Sequence, residues 1–327
     1  MEHRQRSIRL GAAVLIFAVM VRLGGVLSSP PDGLPLAQPI HTIWQRWPVG
    51  GISAAAMQPD SQPTTVPATQ PQPLPVFTGE DVSLVQFRYA AGCKYRPDLN
   101  KLMSQSLSWD LDNGEPAVLI IHTHGTEAYT QTADRSYASC GNYRTRDGDH
   151  NMIAIAELLK QRLEAAGIGV IHDRCLHDDP SYNGAYGSAR ASVEDYLQRY
   201  PSIQLVLDLH RDAATNADGS QYATSVTVQG QRLAQLMLVM GSDTKGLPYP
   251  NWQENLSVAL KLLAQLERIA PGVTRTTTLR TSRYNQDLHS AMLLVEVGSA
   301  GNTLSQALGA AEILAEAIIA LKDGANW

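Results

Sequence analysis

The chain has 327 residues, 44% of them hydrophobic, with 26 basic and 31 acidic side chains giving a net charge of −5. That composition excludes global disorder, and the charge balance leaves no electrostatic footprint for nucleic acid. Three cysteines, Cys93, Cys140 and Cys175, show no finger spacing and are too few for a disulfide framework, so at most one pair can form.

The first element in chain order is an address. Arg4, Arg6 and Arg9 precede an apolar run over residues 10–27 that only Arg22 interrupts. Basic residues ahead of an apolar stretch are the pattern of a signal anchor or a signal peptide, here residues 1–28. The uninterrupted part is short for a membrane span, but it suffices if Arg22 snorkels to the outer interface. No clean small-residue cleavage site follows, and under either reading the remainder lies outside the cytoplasm. Residues 29–80 are rich in Pro and Gln, as in Gln58–Pro59 and Gln62–Pro63, and read as an extended linker. Residues 40–47 are more apolar and suggest a docking segment.

The globular domain is expected over residues 81–327. Residues 117–121 form a short apolar run after Gly114–Glu115–Pro116, which predicts a buried strand. A helical period over 151–166 stops at Gly167, and a second strand follows over 168–171. A helix over 193–200 ends at Pro201, and a third strand runs over 203–209. Further strands are predicted over 222–228, 236–241 and 292–297, with helices over 252–269 and 303–321. Strands alternating with helices predict an α/β domain with a mostly parallel sheet covered on both faces.

In such sheets ligands bind at the carboxyl ends of the strands. The polar residues there are His122, Thr123, His124 and Glu127 after the first strand, and Asp208, His210, Arg211 and Asp212 at the end of the third. Two histidines and a carboxylate from different strand ends, with an open position, make a catalytic zinc site. His124, Glu127 and His210 are the candidate ligands, with Asp147 in reserve, although the spacing is not the HExxH of helix-borne proteases. Glu296, between Val295 and Val297 in an apolar strand, is the candidate general acid/base. Each residue also has a plainer reading. His122 could orient His124 or its loop, Glu127 could be a helix-start carboxylate, and Arg211 and Asp212 could pair with each other. No GxSxG elbow is present for serine catalysis.

Four motifs occur in order. Residues 122–129 read HTHGTEAY, residues 208–212 read DLHRD, residues 284–288 read YNQDL, and LVEVG over 294–298 is followed by Asn302–Thr303–Leu304. Together they resemble the HTHxxESY, D-x-HRD, YNQDLS and LIExG…NT elements of the stage II sporulation protein P family, from about Val118 to the C-terminus. The resemblance implies a single three-layer, amidase-like α/β domain that cleaves peptidoglycan between N-acetylmuramic acid and the L-alanine of the stem peptide. It also implies cleavage of peptide cross-links, and a partner lytic transglycosylase, stage II sporulation protein D. Carried over, His124, Glu127 and His210 become zinc ligands and Glu296 the catalytic carboxylate. In the mechanism expected from these residues, Arg211 is the nearby donor to the oxyanion. Gly125, Ala128 and Ser299 depart from the family pattern, which leaves those residues intact and bears on the biological role. The rival readings are a wall endopeptidase using the same residues and a non-catalytic wall-binding scaffold.

Overall fold

The computed structural model describes residues 74–326, so the expected anchor, the segment over 40–47 and nearly all of the linker lie outside the described residues. No helix among the described residues is long and apolar enough to cross a membrane.

Nine strands are present among the described residues. They are β1 (Phe87–Tyr89), β2 (Pro116–Ile121), β3 (Gly169–His172), β4 (Leu205–Asp212), β5 (Ser225–Val228), β6 (Gln231–Ala234), β7 (Leu236–Met240), β8 (Thr277–Leu279) and β9 (Met292–Ser299). Seven form a central sheet of order β1-β8-β7-β9-β4-β2-β3, and β5 pairs with β6 in a separate antiparallel hairpin. β3, β2, β4 and β9 run parallel to one another, as do β1, β8 and β7. The two blocks meet at the antiparallel pair β7–β9. β9 is therefore the strand that joins them.

Alternation along the central strands sets what each face carries. Leu205, Leu207 and Leu209 of β4 and Leu293, Val295 and Val297 of β9 join the large core. The helices around the sheet are α1 (Leu99–Met103), α2 (Met152–Ala165), α3 (Ala185–Arg199), α4 (Trp252–Ile269) and α5 (Leu304–Ala320). The large core is completed by α2, α4 and α5, and the short α1 joins α4 where Ser257 Oγ donates to Leu102 O at 2.8 Å. On the other face Leu119, Ile121, Val206 and Met292 pack against Ala189 and Val193 of α3. Met237, Val239 and Leu294 form a third, small cluster there with Tyr284. The three-layer, mostly parallel arrangement agrees with the sequence reading, but the layers are unequal. Three long helices back one face, and among the described residues a single long helix covers part of the other.

Ordered packing also starts before residue 81. Phe77 is buried in the core, and its N–H donates to Asn326 Oδ1 at 2.6 Å. All three cysteines are free, with Cys93 buried and Cys140 and Cys175 exposed.

The Asn302–Thr303 pair has a structural role. Thr303 caps α5 in a reciprocal capping box with Gln306. Asn302 is fully buried and accepts from the backbone N–H of Ser299 (2.9 Å) and Thr224 (3.2 Å) through Oδ1. Its Nδ2 donates to Thr224 O (3.0 Å) and Gln306 Oε1 (2.9 Å). Asn302→Ala strands these partners without solvent, so a loss of about 2–4 kcal/mol is expected, read by denaturant unfolding.

Candidate active site

β2 delivers the chain to His122 and then turns. The turn is pinned by Asp208 of β4, which accepts from Thr123 N (2.8 Å) and Thr123 Oγ1 (2.6 Å). A Cβ at position 125 would sit 2.9 Å from Leu176 Cδ2, so a larger residue there would push that leucine aside. The result brings His124 beside His210, with ring centroids 5.3 Å apart and planes at 80°. Tyr182 stacks on His124 at 4.4 Å and 9°, and Tyr186 meets it edge-on at 5.6 Å.

His124 Nδ1 is buried and has no hydrogen-bond partner among the described residues; Asp178 Oδ2 stands off at 3.9 Å. His210 lies between two carboxylates. Its Nε2 is 3.0 Å from Asp208 Oδ1 without the alignment of a hydrogen bond, and its Nδ1 is 3.6 Å from Glu127 Oε2. Burial alone would favour neutral imidazole, but Asp208 and Glu127 outweigh it and raise the His210 pKa well above its ordinary value. Burial also pushes Glu127 up, yet His210 and Arg211 hold it at about 2.

Glu127 is not at a helix start. It sits on an isolated bridge to Arg144, whose Nη2 donates to Glu127 Oε1 at 3.2 Å. The Arg144 guanidinium also bonds Asp178 and Thr126 Oγ1, tying the loop after β2 to the loop after β3. Arg211 is turned into this loop rather than toward the rim. Its backbone N–H donates to Glu127 Oε2 (3.1 Å), Nε to Ala128 O (2.9 Å) and Nη2 to Tyr143 O (2.9 Å). The structure thus gives Arg211 a clamping position on this loop. Arg211 does not pair with Asp212, which accepts from Arg275 Nη1 at 2.8 Å.

His122 points away from His124. Its Nε2 lies 2.9 Å from His172 Nε2 and its Nδ1 3.4 Å from Leu209 O, and His172 Nδ1 in turn lies 3.2 Å from Glu157 Oε2. Burial, reinforced by His172, lowers the His122 pKa to about 3, so its ring is neutral. Asp147 is engaged with His150 Nδ1 at 2.8 Å and with the N–H of Asp149 at 3.0 Å.

Glu296 is the Cα partner of His210 across β4 and β9, so both side chains leave the same face of the sheet. Its Oε2 is shut off from solvent and has no hydrogen-bond partner among the described residues. Burial, aided by Glu127 and Asp212 against the pull of His210 and Arg211, raises its pKa to about 8. A carboxyl poised there can carry a proton at neutral pH.

Among the described residues no group of three or more His, Cys, Asp or Glu side chains is gathered closely enough to hold a metal ion. The residue types present, imidazole and carboxylate, are nevertheless those zinc takes as ligands. Two buried imidazole nitrogens, His124 Nδ1 and His210 Nε2, lack aligned partners beside ionised carboxylates. Asp178, Tyr182 and Tyr186 were not singled out in the sequence. The signal that could have found Asp178 is the polar run His177–Asp178–Asp179 past the carboxyl end of a predicted strand, and no such signal marks the two tyrosines.

Residues 61–319 match the model of the stage II sporulation protein P (SpoIIP) family. Stage II sporulation protein P of Bacillus subtilis (strain 168) is 28% identical over 210 residues, covering 61% of this chain and 49% of that protein. The chain therefore spans about half the length of this curated relative. Among solved structures, N-acetylmuramoyl-L-alanine amidase AmiC2 of Nostoc punctiforme is 12% identical. It matches 63% of this chain and 97% of its own, with a TM-score of 0.38. The CwlD amidase of Clostridioides difficile, solved with the GerS lipoprotein, is 15% identical over 62% and 94% of the two chains, with a TM-score of 0.38.

Proposed function

The chain belongs to the stage II sporulation protein P family, and from that premise we propose that it is a zinc-dependent peptidoglycan hydrolase working in sporulation. The bond proposed is the amide between N-acetylmuramic acid and the L-alanine of the stem peptide, with peptide cross-links as a second target. The observation that carries the reading is the convergence of His124, His210 and Glu296 at one face of the sheet, each with a buried polar atom lacking a partner among the described residues.

In this reading His124, Glu127 and His210 would hold the ion. Bound Zn²⁺ would polarise the scissile carbonyl and lower the pKa of a water. In its ionised form Glu296 would accept the attacking water's proton and pass it to the departing amine. His210 and Arg211 keep Glu127 ionised, Arg144 donates to it, and Arg211 holds the loop carbonyls of Ala128 and Tyr143. Asp208 fixes the turn that aims His124. The proposal extends to an extracytoplasmic domain held at a membrane by residues 1–28, and to a partner of the stage II sporulation protein D type.

The test is direct. The purified chain is expected to hold about one zinc per molecule by elemental analysis. Digestion of purified wall should release stem peptides carrying new L-alanine amino termini. Absence of any divalent ion after gentle purification and re-addition would sink the metal-dependent reading. Products with new amino termini only inside the peptide would replace the amidase with an endopeptidase.

A further inference from the structure

The face that carries Glu296 does not end at the site. Tyr186, edge-on to His124, also walls a cleft of about 350 Å³ whose other lining includes Ser242, Lys245, Leu247, Arg283 and Tyr284. The far wall is the YNQDL segment, and it is built at a conformational cost. Tyr284 (φ 51°) and Asn285 (φ 58°) are consecutive left-handed residues, a state that a bulky side chain such as tyrosine rarely adopts.

Three anchors hold that wall. Asn285 Nδ2 donates to Tyr186 O at 2.8 Å, which couples the wall to α3. Gln286 accepts from Gly241 N (2.7 Å) and donates to Val239 O (2.8 Å), which fixes it to the end of β7. At Gly241 a Cβ would lie 2.6 Å from Ser282 O, so the two backbones pack directly. The left-handed pair, held this way, presents the Tyr284 ring 6.2 Å from the Tyr186 ring.

The lining chooses the ligand. Among the described residues no acidic side chain lines the cleft, and it contains two cations. Arg283 is partly spent on Asp287 Oδ2 (3.1 Å) and Pro248 O (3.2 Å). Lys245 is exposed, and no hydrogen bond or ion pair engages it among the described residues. Leu247 is 55% exposed beside it, and Ser242 Oγ is already committed to Arg280 O and Thr244. A sugar strand would need many free hydrogen-bonding groups here. A short peptide with small apolar side chains and free carboxylates needs two rings, a leucine and an unpaired cation.

We propose that this cleft binds the stem-peptide side of the substrate, with a peptide carboxylate at Lys245 and the peptide's apolar body between Tyr186, Tyr284 and Leu247. This rests on the hydrolase reading above for its substrate class. The site is separate from the residues that would hold the ion, so it can be perturbed alone.

The experiment compares the full chain with its Lys245→Glu variant on two soluble muropeptides, one with free peptide carboxylates and one with those carboxylates amidated. Charge reversal should raise KM for the free acid about five- to tenfold, the scale of an exposed ion pair replaced by repulsion. It should leave kcat within about twofold, and KM for the amidated substrate should not follow. Calorimetric titration of the free stem peptide should show the same loss of affinity. Equal effects on both substrates, or none, overturn the assignment, as does competition by peptide-free glycan but not by peptide. If the parent chain binds the peptide through Lys245 yet releases nothing from wall, the hydrolase reading falls and the cleft stands. If it digests wall and ignores Lys245, the reverse holds.

Discussion

Glu296→Gln is expected to slow wall hydrolysis by roughly two to four orders of magnitude while leaving zinc content unchanged, the signature of a lost general base. The amide keeps the shape of the carboxyl but cannot take a proton. A second readout is independent of turnover. The folded pKa of Glu296 is about 8 against an ordinary 4.5, so the folded state retains a proton that the unfolded state releases. Stability of the metal-free protein therefore falls as pH rises from about 4.5 to about 8 and then levels off. Glutamine removes that penalty. The variant should gain about 1–3 kcal/mol over the parent at the alkaline end of this window and nothing below it. Denaturant unfolding of both proteins across the range measures the gain. A flat difference would mean that Glu296 is ionised in the fold, and loss of zinc would make it a ligand.

His210→Ala should abolish activity and zinc retention together. His210 stands between Asp208 and Glu127, both buried. Removing its cation takes from both carboxylates the partner they share, leaving Glu127 to Arg144 and Arg211 and Asp208 to Thr123, at up to about 3–5 kcal/mol for a broken buried pair. Part of the parent's stability should depend on acid. Glu127, held at about 2, contributes stability above its ordinary 4.5 that is lost as pH falls toward 2. The parent should show this acid-side loss, and the variant, lacking the histidine that depresses Glu127, should show less of it. Elemental analysis, wall digestion and unfolding at several pH values check the three parts. A variant that keeps its zinc would remove His210 from the ligand set.

Much of the frame was legible in the sequence because it rests on apolar runs. The strands β2, β4 and β9 are built on largely hydrophobic segments, and the sequence pattern gives α4 its observed bounds, Trp252–Ile269. The carboxyl-end rule then pointed to His124 and His210, and the lone carboxylate in an apolar strand to Glu296; the structure places the three together. Other parts left no such trace. β1 and β8 are three residues each, too short for a period. The reversal at β7 is a matter of pairing, which hydrophobicity does not encode. The start of α3 at Ala185 was hidden because Gly187 and Ser188 are weak helix formers, and the small side chains of Ala185 and Ala189 suffice to fill its buried side. Asp178 belongs to the site through Arg144, a contact between two loops that no spacing announces.

The position of β9 has a consequence for how the protein comes into being. Synthesis proceeds from the N-terminus, so six of the seven sheet strands precede Met292. β9 is the strand that joins β3, β2 and β4 on one side to β1, β8 and β7 on the other. The same late strand carries Glu296. Closure of the sheet and placement of Glu296 are thus tied to one strand, and a chain without β9 would lose both together.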